Sequence, residues 1–246
     1  MEEVQRNNPY KLVKKQHYNM DFVLRKFAVE GKLEVVNKVS KEIRSLPTDN
    51  DLFIAKRVWS QECETTISHP IERRFIAQVN RILTGEPICD HKALSEYHLL
   101  WYLRHYHYQN NDPNDVQIFR KLRCGSFSKN DEEYLESIGR VPYRRGGKIA
   151  SRFAVTNLIR SDLEKNQRHY VGFKWQVLHD PRGGFFCADC FGRNLSLAVS
   201  PHYLLVANKH IEKGVRVLSA DEVEQMNHRT VEKCKSFYIR KPQERS

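Results

Sequence analysis

The sequence predicts an α+β fold: a helical middle flanked by small antiparallel β-hairpins, mostly helical overall, in a single domain over residues 1–246. Three observations carry this expectation. Apolar residues recur at helical spacing between residues 68 and 167, they alternate at period two on either side, and no linker composition or internal repeat divides the chain.

Residues 1–16 are polar and predict a loose N-terminal arm. Over 17–46 the pattern gives a short helix at 21–27, then strands at 33–36 and 43–46 joined by a turn at 37–41 and stopped by Pro47. Within the helical region, 68–167, Ser68 or His69 is the expected cap of the first helix, with Pro70 in its first turn. Ile71, Phe75, Val79 and Ile82 form its apolar stripe, and Gly85 with Pro87 ends it. A helix over 92–109 is apolar and aromatic nearly all round, which predicts a path through the core. Further helices are expected at 115–122, 131–138 and 149–165, the last with Ile149, Phe153, Thr156 and Leu163 on one face. From 172 to 246 the pattern turns strand-like. A hairpin is expected from 172–178 and 185–188 around a turn at 180–184, followed by short strands at 196–198 and 203–207. The final helix is the best specified: Ser219 caps it, Glu222 completes a capping box, and Leu218 with Val223 supplies a hydrophobic staple.

Composition narrows the function. With 40% apolar and 29% charged residues, the chain has the make-up of a soluble globular protein. No apolar run approaches the roughly 18 residues of a membrane span, and the opening stretch has no apolar h-region, so a cytoplasmic protein with no membrane partner is expected. Forty-one basic residues against 30 acidic ones leave a net charge of +11, which predicts a polyanion partner, nucleic acid (DNA or RNA).

That charge is concentrated. Residues 137–161 contain no acid but include Arg140, Arg144, Arg145, Lys148, Arg152 and Arg160. On a helix Arg145, Lys148 and Arg152 would share one face, with Gly146 and Gly147 opening a phosphate seat at its N-terminus and Tyr143 free to stack on a base. The six cysteines read as reduced thiols. Only Cys187 and Cys190 have a metal-like spacing; Cys89, His91 and Cys124 would have to complete the set from a distance, so zinc is not expected. His91, His98 and His105 recur every seven residues on the apolar helix and read as hydrogen-bonded core residues.

Several short stretches resemble one family, domain of unknown function 4238, found in bacteria, archaea and phages. They are Gln16-His17-Tyr18 with the segments 22–27 and 31–35, Ile71-Glu72, the stretch from Trp175 to Asp189, Val199-Ser200-Pro201 with Leu204 and Leu205, and Asn227. They span most of the chain in the family's order. Of the family's Ser-Asp-Asn-Pro segment only Asp189 matches, and the resemblance brings element order but no established activity.

Two functional readings follow. In the first the chain is a metal-assisted nuclease, a hydrolase of a bacterial or phage conflict system. His17 would be its general base, Glu72 and Asp189 would be catalytic carboxylates holding Mg²⁺, and Arg25 or Arg104 would clamp a phosphate. In the second it is a non-catalytic basic protein that occupies nucleic acid, or inhibits, through Arg140, Tyr143, Arg144, Arg145, Lys148 and Arg152.

Overall fold

The arm expected to be loose is where the fold begins. The computed structural model describes residues 2–120, 125–191, 195–209 and 214–242. In it Leu12 is buried, the Val13 N–H donates to Gln61 Oε1 (2.8 Å), and the Gln16 side chain donates to the Trp59 carbonyl (2.8 Å). Polar residues can anchor a segment when each finds a buried partner, and here they do.

Strand β1 (Lys15–His17) leads into α1 (Asp21–Phe27), which buries Val23, Leu24 and Phe27. The hairpin β2 (Lys32–Asn37) and β3 (Ile43–Pro47) follows, then β4 (Ile54–Lys56), which pairs antiparallel with β1. A π-helical turn (Cys63–Ser68) runs straight into α2 (His69–Leu83). Ser68 therefore lies inside a continuous helical path and makes no capping hydrogen bond. Pro70, which has no N–H to give, falls where the wider turn hands over to the α-helix.

Asp90 caps α3 (His91–Gln109) by accepting from the Ala93 N–H (2.9 Å). This helix is buried along nearly its whole length and packs on α2, as expected of a helix with no polar face. The residues after it do not continue as a helix. β5 (Val116–Gln117) is a strand, and of the helix expected at 115–122 residues 121–122 lie outside the described chain. α4 (Lys129–Ser137) begins in a capping box of Ser128 and Asp131. β6 (Lys148–Ile149) pairs with β5, so Ile149 belongs to a strand, and α5 (Ser151–Asn166) begins after it and packs on α3.

A 3₁₀ turn (Gln167–Tyr170) ends α5, and β7 (Lys174–His179), β8 (Cys187–Ala188), β9 (Ser196–Ser200), β10 (Tyr203–Asn208) and β11 (Val215–Val217) follow. The last elements are α6 (Ala220–Lys233), with the Ser219/Glu222 capping box in place, and β12 (Phe237–Arg240).

The strands do not sort into flanking hairpins. Among the described residues there are four sheets, ordered β11-β7-β10-β9, β3-β2-β12-β8, β1-β4 and β5-β6. The expected 172–188 hairpin does not form: β7 pairs with β10 and β11, whereas β8 pairs with β12 in the other four-stranded sheet. Its turn explains why. Asp180 accepts from the Gly184 N–H, and the Asp180 and Phe185 amides donate to the carbonyls of His202 and Pro201, so the chain crosses the β9–β10 turn instead of folding back. The N-terminal hairpin likewise joins the C-terminus, because β2 pairs with β12. Helix makes up 41% and strand 21% of the described residues, in a mixed α+β arrangement whose sheets knit the two ends of the chain together rather than a helical middle between hairpins. One main core gathers residues from both ends, Leu33 and Ile239 among them, around Trp59, Trp101 and Trp175.

Candidate nucleic-acid interface

The acid-free stretch runs from the end of α4 through a turn and strand β6 of the β5–β6 ribbon into α5, so of its basic residues only Arg152 and Arg160 lie on a helix. Val116 faces Ile149 and Gln117 faces Lys148, and the turn between Arg144 and Lys148 is closed by the Arg144 N–H donating to the Lys148 carbonyl (2.7 Å). Gly147 has φ +78°, and a Cβ there would stand 2.2 Å from the Phe119 carbonyl oxygen. Its own carbonyl accepts from both Ile118 and Phe119 N–H (3.0 Å each). The glycine pair therefore lets two chain segments touch; it does not open a helix, so the expected phosphate seat is absent. The helical face expected from Arg145, Lys148 and Arg152 is absent too, since these residues lie in a turn, a strand and a helix respectively.

The basic residues divide sharply. Arg144 pairs with Glu2 (2.8 Å), Asp115 (2.6 Å) and Glu132, and Arg152 with Glu2 (2.7 Å) and Glu136 (2.9 Å). Arg57 also reaches Glu136 (2.7 Å), and Arg160 pairs with Glu62. Arg152 is only 4% exposed, with its guanidinium 4.8 Å from the Phe153 ring. Hydrogen bonds that Arg144 donates to Glu132 and Glu2 hold its pKa far above the ordinary arginine value, outweighing its burial. Around these arginines three guanidiniums (57, 144 and 152) meet four carboxylates (2, 115, 132 and 136), a local surplus of negative charge. Arg144 and Arg152 thus tie the N-terminal arm, α4 and α5 together. Neither is available to a phosphate, contrary to the expectation from charge alone.

Arg140, Arg145 and Lys148 are exposed and make no ion pair among the described residues, and the same holds for Arg120, which composition did not single out. Phe119 is 49% exposed beside them, with Ile118 open to solvent as well. The Tyr143 ring lies 5.6 Å from the Phe119 ring. This ribbon therefore presents free cations next to aromatic faces, the combination that tracks a phosphate backbone and stacks bases.

The candidate catalytic residues divide in another way. Arg104 is 2% exposed and donates to Glu72 Oε1 (2.6 Å) and to the His17 main-chain carbonyl (3.3 Å), with Glu64 at 3.5 Å. Burial works against its charge, but Glu72 and Glu64 outweigh it and raise its pKa. Arg104 is a buried hub that fixes two carboxylates, not an external phosphate clamp. The other clamp candidate, Arg25, is exposed and paired with Asp21. The His17 ring lies against the Thr48 carbonyl (Nε2···O 3.3 Å), so only its backbone joins Glu72 at the hub. Glu72 also lines a cleft of about 640 Å³ with Phe22, His69 and Arg73.

Asp189 has another task. It is buried at the end of β8 and accepts from the N–H groups of Lys235 (2.8 Å), Ser236 (2.7 Å) and Phe237 (3.3 Å), stapling the entry to β12. Burial raises its pKa against these hydrogen bonds. With Glu72 held by Arg104 and Asp189 spent on backbone amides, this pair does not fit a Mg²⁺ ion, which needs free carboxylate oxygens. Among the described residues no three His, Cys, Asp or Glu side chains gather as a metal site; Cys124 lies outside them. Cys187 is buried, its thiol pushed up to about 12 by desolvation.

The helix histidines are built into the core. His91 Nδ1 accepts from the Trp175 N–H (2.9 Å), His98 meets the Tyr170 hydroxyl (2.9 Å), and His105 packs edge-on against Tyr18. Burial, with the Lys235 ammonium nearby, pushes the His105 pKa down to about 4.

No helix is long and apolar enough to cross a membrane among the described residues. No family model, curated protein or solved structure matches this chain.

Proposed function

We propose that the protein binds single-stranded nucleic acid, DNA or RNA, along the β5–β6 ribbon. The observation that carries this reading is the separation of the basic residues into two groups: Arg144, Arg152 and Arg160 are consumed by carboxylates, whereas Arg120, Arg140, Arg145 and Lys148 stay exposed beside Phe119 and Tyr143. Cations left free in this way gain by releasing counterions from a phosphate backbone. The neighbouring rings favour unpaired bases over a duplex, whose bases are already stacked. Metal-assisted cutting has less support, because its two carboxylates are engaged elsewhere in the fold.

The test is fluorescence anisotropy with labelled single- and double-stranded oligonucleotides at low salt. Binding is expected to favour single strands, to fall broadly in Arg145→Glu and Lys148→Glu proteins, and to lose about 1–3 kcal/mol in Phe119→Ala. Affinity that is absent, or indifferent to all three changes, would refute the reading.

A further inference from the structure

A second cleft lies where the C-terminal half of α3 faces the end of α5 and the 3₁₀ turn after it. Its volume is about 640 Å³, within the range of small-molecule sites. Tyr102 and Tyr106, one helical turn apart on α3, stack with their rings 6.4 Å apart and 23° from parallel, and Tyr106 is 49% exposed. They form a flat aromatic platform. Tyr170 comes from the facing element, its hydroxyl 2.9 Å from His98 Nδ1. Asp162, Asn166 and His169 complete the polar lining.

Asp162 is the telling residue. It is half-buried, and no hydrogen bond or ion pair reaches its carboxylate among the described residues; only its main-chain carbonyl is used, by the Asn166 amide (2.8 Å). A free carboxylate beside an aromatic platform asks for a planar ligand with two adjacent N–H donors in its plane. The guanine edge, N1–H beside the 2-amino group, is such a ligand. Adenine and cytosine would turn an acceptor nitrogen toward the carboxylate, and uracil brackets its single N–H with carbonyls. A free organic cation suits the platform less, because the chain carries +11 and exposed Arg168 and Lys174 stand close by.

Those two cations also say where a phosphate would go. An adjoining cleft of about 540 Å³ shares Leu99 and Tyr170 with the first; Arg168 and Lys174, neither ion-paired among the described residues, line it together with Glu164 and with Glu96, which Lys92 pairs at 3.6 Å. We propose that the two clefts together bind a guanine nucleotide, its base on the Tyr102–Tyr106 platform with its Watson–Crick edge on Asp162, and its phosphate toward Arg168 and Lys174. The nucleotide is either free or one residue of a single strand, and the site stands independently of the ribbon.

Titration calorimetry with guanosine and adenosine 5′-monophosphate tests this, on the natural protein, on Asp162→Asn, and on an Arg145→Glu/Lys148→Glu protein. The guanine nucleotide is expected to bind about 10- to 100-fold tighter than the adenine one, with the difference lost in Asp162→Asn and kept in the ribbon double variant. Asp162→Asn removes no hydrogen bond or ion pair made within the described residues, only a charge near His107, and a thermal melt checks that it folds. A second arm uses oligonucleotides with one guanine or one adenine. A guanine preference seen only there, and abolished by Asp162→Asn, assigns the site to a strand; binding of the monophosphate assigns it to the free nucleotide. Equal affinity for both bases, or no saturation in either arm, overturns the proposal. The ribbon variant keeps that failure distinct from a failure of strand binding.

Discussion

Arg145 and Arg152 look equivalent in the sequence, two arginines in one acid-free run, yet the structure predicts opposite consequences for their loss. Arg152→Ala removes a guanidinium that is 4% exposed and bonds to Glu136 (Nε, 2.9 Å) and Glu2 (Nη1, 2.7 Å). Glu136, itself 2% exposed, would keep only Arg57 and the Gln61 N–H. Breaking one side of a buried charge pair costs about 3–5 kcal/mol, chiefly because the remaining charge stays desolvated. For a domain of this size each kcal/mol moves Tm by about 2–4 °C, so the melt should fall by roughly 6–20 °C. Arg145→Ala touches no partner among the described residues and should stay within about 0.5 kcal/mol. Urea denaturation of the three proteins, with unchanged m-values, measures the difference. If Arg152→Ala and Arg145→Ala shift the midpoint equally, the division of the basic residues on which the functional reading rests is wrong.

Three more outcomes follow from the geometry. Gly147→Ala combines a positive φ with a Cβ 2.2 Å from the Phe119 carbonyl, so it should cost at least about 2 kcal/mol and disorder the ribbon, visible as lost amide protection at Ile118 and Phe119. His105 stays neutral in the folded state down to about 4, whereas the unfolded chain takes up its proton near 6.5. Its contribution is therefore intact above about 6.5 and is lost as pH falls toward 4, up to about 3 kcal/mol, and urea midpoints in His105→Gln should fall less steeply over that window. Asp189→Asn swaps an acceptor for an amide facing the N–H groups of residues 235–237; chemical denaturation should register about 2–4 kcal/mol, and an unchanged midpoint would count against the staple.

Local chemistry was legible where neighbours in sequence are also neighbours in space. The Ser219/Glu222 capping box, the β2–β3 hairpin and the all-round apolar α3 depend on contacts a few residues long, and the structure has each of them. Long-range pairing was not legible. Nothing in 185–188 says that its partner is β12, or in 1–16 that Glu2 will meet Arg144 and Arg152 from more than a hundred residues away. The same limit governs the site. An acid-free run announces charge but not which guanidiniums will find distant carboxylates, so its three unpaired cations and its three structural ones read alike. Glu72 and Arg104 do come together, although as a buried pair rather than around a substrate.

The most direct measurement is the salt dependence of single-strand affinity. Each cation on a phosphate contributes about 0.7 to the slope of log K against log salt. Neutralising Arg120, Arg145 and Lys148 together should flatten that slope by about 2 while leaving the melt unchanged. A slope that stays put in this triple variant, and flattens instead when Arg144 or Arg152 is removed from a protein that still folds, would contradict the assignment of the ribbon as the binding surface.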